Sequence, residues 1–136
     1  MTATRSSAPS GRLVLAGSVA LLAVLARAFL DWRYVYPEFT GTAIWPTVAA
    51  LAFYVAVAAV WIWALLEAAA GRRRGVTAIA VLVALMLLGQ AVATWFAFCA
   101  FPCGTAAPLM ETANSGGAII GAVTLAIAVR ALRRPA

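Results

Sequence analysis

Histidine and lysine are both absent from this 136-residue chain, and only Asp31, Glu38, Glu67 and Glu111 are acidic. Without histidine the chain lacks the usual haem and zinc ligand and the commonest general base. No cofactor and no metal site are therefore expected. Charge of either sign is scarce: 10% of residues are charged, against about 25% in soluble domains. The motifs G-x-S-x-G, the P-loop and H-E-x-x-H are also missing, which removes the usual signs of hydrolases and phosphate-binding enzymes. A non-enzyme is the favoured expectation, with no catalytic residues assigned.

Apolar sequence takes the place of charge. Hydrophobic residues make up 65% of the chain, gathered into runs long enough to cross a bilayer. The fold class expected is all-α: a polytopic membrane protein of four transmembrane helices, approximately 13–30, 43–70, 76–98 and 108–132, in an antiparallel bundle. Residues 1–11 read as a mobile cytoplasmic N-terminus and 12–134 as one four-helix domain. The first run continues past Arg27 to Leu30 and meets an aromatic belt, which argues against a cleaved signal peptide. Asp31 to Glu38 reads as an interfacial loop with Trp and Tyr at headgroup depth. Thr42 is the expected N-cap of the second span, and Pro46 fits its first turn. Trp45 and Trp63 then mark the two faces of the membrane, about 27 Å apart along a helix. Gly71-Arg-Arg-Arg-Gly75 reads as a tight basic turn.

The basic residues are all arginine, ten of them, for a formal net charge of +6. Such a balance can signal nucleic acid, but these arginines gather at helix ends, where they orient a membrane protein. No nucleic-acid partner is expected; the first partner is the lipid bilayer. Arg5, Arg12, Arg72 to Arg74, Arg130, Arg133 and Arg134 fall on one side. Arg27 and Arg33 fall on the other, with Asp31, Glu38 and Glu111. Both termini are thus expected in the cytoplasm. An all-arginine basic set suggests a GC-rich bacterial genome, and hence a multi-pass protein of the cell inner membrane.

Cys99 and Cys103 stand in C-x3-C spacing in the 99–107 loop, on the expected oxidising side. A structural disulfide closing a small loop is the leading reading, with free thiols as the alternative. A redox pair resembling that of membrane disulfide-generating enzymes is a third reading. This chain departs from that pattern in having one cysteine pair and no CxxC.

The most demanding residue is Arg27, about one turn inside the boundary, with Asp31 four residues on as its natural partner. Gln90, Thr94, Glu111, Asn114 and Ser115 fall at similar depth. If they face inward with Arg27 and Asp31, they form an outward-facing polar ligand site beneath the cysteine loop. Glu111, Asn114, Ser115, Ala118 and Ala122 follow the spacing of one helix face. Gly117 and Gly121 form a GxxxG packing motif, with Ala118, Ala122 and Ala126 expected to extend it. A shift of 63 residues lays Arg27 on Gln90, Asp31 on Thr94 and Trp32 on Trp95; chance similarity between Leu- and Ala-rich helices is the preferred explanation. Glu67 reads as a solvated or arginine-paired interface residue.

Three functions remain. The leading one is an accessory or structural subunit of a larger inner-membrane assembly, with a membrane-protein partner or a homo-oligomer implied. The second is a small oligomeric transporter or solute-binding protein using the polar site. The third is a thiol–disulfide oxidoreductase using Cys99 and Cys103.

Overall fold

The computed structural model describes residues 9–37, 43–100 and 107–134. They form four helices: α1 (Pro9–Leu30), α2 (Trp45–Ala69), α3 (Arg73–Ala100) and α4 (Ala107–Arg133). All four are long and apolar enough to cross a membrane, and no strand occurs among the described residues. The chain is an all-α, multi-pass membrane bundle. Each helix packs on the next in sequence and α4 closes the ring against α1. Successive helices run antiparallel, so both termini lie at one end of the bundle. The C-terminal ends of α1 and α3 and the first turns of α2 and α4 lie at the opposite end, here termed the loop end.

Several helix boundaries differ from the sequence expectation. α1 begins at Pro9 rather than after residue 11; proline suits a first turn, where its missing N–H would have had no helical partner. The N-terminal residues 1–8 lie outside the described residues. The segment after Leu30 is not a loop. Asp31–Val35 widens into a π-helical turn in which the Tyr36 N–H bonds to Asp31 O, and the helical path continues to Pro37. Thr42 lies outside the described residues, and Ile44 occupies the N-cap of α2 without a side-chain cap. Pro46 in the first turn has no N–H that needs one.

The basic turn is tighter than expected, because Arg73 and Arg74 already belong to α3. α2 ends in a Schellman motif: Gly71 N–H donates to Ala68 O (3.0 Å) and Arg72 N–H to Glu67 O (2.9 Å). This geometry needs a left-handed residue, which Gly71 supplies at φ 75°. Glu67 is arginine-paired as expected, but it is covered rather than solvated, only 8% exposed. Its carboxylate accepts from Arg72 Nη1 at 2.7 Å and from Arg74 Nε. Arg73 Nη2 reaches the Leu132 carbonyl at 3.0 Å, tying the turn to the end of α4.

The buried core lies toward the termini end: Leu13, Ala20 and Leu21 of α1 meet Trp61, Ala64 and Ala68 of α2, with Ile79, Val83 and Ala128 from the other two helices. Two polar side chains are buried inside it without cost to the backbone. Trp61 Nε1 donates to Gly17 O at 3.0 Å. Thr124 Oγ1 lies 2.8 Å from Ile120 O in its own helix and 3.2 Å from Ala16 O of α1. Adjacent carbonyls of α1 thus face donors from the helices on either side.

Two glycine substitutions test the hairpin. Gly71→Ala is expected to lower stability by about 1 kcal/mol, the cost of a left-handed alanine. Gly75→Ala should cost more, because its Cβ would sit 2.6 Å from the Glu67 carbonyl carbon. Thermal unfolding in detergent micelles measures both, and the reverse ranking would contradict the described turn.

Candidate functional site

Helix periodicity sets Arg27, near the end of α1, and Asp31, four residues on in the π-helical turn, on one face. The ion pair forms, with Arg27 Nε 3.0 Å from Asp31 Oδ1 and both side chains 18% exposed. Arg27 uses a second nitrogen, Nη1, to donate to Asn114 Oδ1 on α4. The guanidinium therefore bridges two helices while its charge is met within one. A bare cation at this depth costs roughly 3 kcal/mol on insertion scales, less near a boundary. Asp31 and Asn114 offset that cost, so the group is held in place.

Tyr54 of α2 extends the cluster on its other flank. It lies within electrostatic reach of Asp31 and Arg27, and its hydroxyl hydrogen-bonds with that of Tyr36. Neither tyrosine stood out in the sequence. Tyr36 was legible only as part of the aromatic belt at Asp31 to Glu38, and Tyr54 only as one residue of the second span; neither signal speaks of an inter-helix hydrogen bond.

Gln90 approaches α4 from the α3 side. Its side-chain amide abuts Gly117, where any Cβ would overlap it, the Gln90 Cδ being 3.1 Å from that position. Its Oε1 is buried and, among the described residues, has no hydrogen-bond partner. Thr94 is near in sequence but not engaged with the cluster: its hydroxyl donates to Gln90 O of its own helix at 2.8 Å.

Glu111 and Ser115 do not join the site. Both are exposed, whereas Asn114 is partly covered. The spacing that grouped them spans too wide an arc: a residue three on from Glu111 turns toward α1, and the residue after it turns away. The same rotation corrects the packing stripe. Gly117 and Gly121 are buried, and a Cβ on Gly121 would meet Leu87 Cδ2 of α3 at 2.7 Å. The buried line continues through Thr124 and Ala128, while Ala118, Ala122 and Ala126 face outward. Cys103 lies outside the described residues, as does the side chain of Cys99, so the pairing of these cysteines has no structural description.

The site that results is smaller than expected: Arg27, Asp31 and Asn114 joined by direct bonds, with Gln90 one turn deeper. It offers hydrogen-bond donors and acceptors. No group of three His, Cys, Asp or Glu side chains forms among the described residues. Compared with protein-family models, curated proteins and solved structures, the chain has no significant match. The class is thus defined by the fold alone: a small, four-span helical membrane protein.

A double-mutant cycle on Arg27→Ala and Asn114→Ala measures the bridge. A coupling of about 1 kcal/mol is expected, the scale of interhelical hydrogen bonds in membranes. Additive losses in unfolding experiments would mean that the two helices are not joined there.

Proposed function

We propose that the protein is an accessory subunit of a larger inner-membrane assembly and docks through α4. The observation that carries this reading is the outward face of that helix. Glu111, Ser115, Ala118, Ala122 and Ala126 are all exposed, although the other faces of α4 pack on α1 and α3. Small residues let a neighbouring helix approach closely, and polar groups on a span favour protein over lipid. A membrane-protein partner or a second copy of the chain would supply that neighbour. The termini end, carrying the clustered arginines, would then face the cytoplasm.

Co-purification in mild detergent tests the reading. A partner or oligomer is expected to accompany the native chain, and the double variant Ala118→Leu/Ala122→Leu should reduce its recovery at least tenfold. Circular dichroism should show unchanged helix content. An isolated monomer from the native membrane would sink the proposal.

A second reading draws support from Gln90 Oε1, which has no hydrogen-bond partner among the described residues. A buried acceptor without a donor invites a ligand or water, so a small polar solute held near Gln90, Arg27 and Asn114 is the alternative. A solute-dependent rise in thermal midpoint that disappears in Gln90→Leu would favour it; equal stabilisation of both proteins would exclude it.

A further inference from the structure

A crevice of about 280 Å³ separates α1 from α2 toward the loop end. The two helices are held close nearer the termini by the Trp61–Gly17 hydrogen bond. Beyond that level, Ala28, Ala50 and Ala58 stand at the contact, and their small side chains do not fill the space. The volume is near the lower end of ligand-sized pockets, roughly 300 Å³ and upward.

The crevice is lined almost entirely by apolar surface. Phe29, Trp32, Leu51 and Val55 line it and are 52–65% exposed, with Phe29 at 57% and Val55 at 61%. These residues form its rim on the outer surface of the bundle. Because α1 and α2 are both membrane-spanning, the rim opens toward hydrocarbon. Toward the loop end the lining includes Trp32, Tyr36 and Thr47, and Trp and Tyr are the residues that favour headgroup depth. Arg33 is exposed in the same π-helical turn, its guanidinium 5.4 Å from the Tyr34 ring centroid.

We propose that this crevice is a phospholipid site, with one acyl chain between α1 and α2 and the lipid phosphate at Arg33. The apolar slot matches the chain, and leaving it empty would forfeit dispersion contacts on both walls. The exposed guanidinium matches the phosphate, for which arginine is the preferred donor. The π turn carries Trp32 of the slot's lining, with the exposed Arg33 next to it in sequence, and Tyr36 of the lining follows the turn. This site is separate from the α4 docking face and does not depend on it.

Native mass spectrometry of the full chain in dodecyl maltoside doped with dioleoyl-phosphatidylglycerol tests the site. The wild type is expected to retain one lipid per chain after most detergent is removed. Ala50→Phe, which fills the slot, should lower that retained fraction at least tenfold. Ala84→Phe places the same bulk on the exposed side of α3 and should leave it unchanged. Arg33→Glu, at an exposed position that the fold does not need, should lower it severalfold and keeps the test decisive if Ala50→Phe fails to fold. The proposal is overturned by a lipid-free wild type, or by a second copy of the chain in place of lipid. Unchanged retention in folded Ala50→Phe or in Arg33→Glu, or equal loss in Ala84→Phe, also overturns it.

Discussion

The hydrogen bond from Trp61 to the Gly17 carbonyl governs how this bundle is shaped. An indole N–H buried among helices needs an acceptor, and side chains supply few here. The chain uses the backbone of α1, which is reachable only because Gly17 has no side chain in the way. A Cβ there would meet Leu65 Cδ2 at 2.8 Å. Thr124 approaches the neighbouring Ala16 carbonyl from α4, so α1 is gripped from both sides at one level. Ile79 of α3 lies against the same glycine. All four helices are therefore registered around one turn of α1.

The two ends of the bundle follow from that anchor in different ways. At the termini end, Glu67 is enclosed by the hairpin and bonded by two arginines, while a third arginine reaches across to α4. Local chain geometry and charge work together there, and packing is close. At the loop end the inter-helix bonds among the described residues are polar. Arg27 bridges to Asn114, Tyr54 meets Tyr36, and the aromatic residues of the π turn border a crevice instead of a filled core. Openness at this end leaves room for ligands, whereas the outward face of α4 leaves room for a protein neighbour. These are physically distinct surfaces with different chemistry.

Much of this was legible in the residues. Four apolar runs separated by charge, aromatics and glycine specify four spans, because unpaired backbone polar groups cannot remain in hydrocarbon and each run must be helical. The Arg27–Asp31 pair followed from i, i+4 spacing, and the GxxxG at Gly117 and Gly121 identified a close helix contact. The same reasoning grouped Glu111 and Ser115 with the inward polar residues, whereas both are exposed, and it extended the glycine face through alanines that face outward. Periodicity states which residues share a side of a helix, but the rotation of α4 about its axis depends on where Leu87 and Gln90 of α3 press against Gly117 and Gly121.

The sequence by itself determined the number of spans, their order, the basic character of one end and the local ion pair. Each depends on residues near in the chain or on transfer from water to lipid, and neither needs knowledge of neighbours. Only the tertiary structure decided that Asn114 and not Glu111 meets Arg27, that Trp61 and not Trp63 enters the core, and that α1 and α2 part beyond their shared hydrogen bond. Those outcomes are set by the azimuth and separation of packed helices. Apolar helices in lipid gain no hydrophobic preference for one rotation over another, so small residues and a few buried polar contacts make the choice.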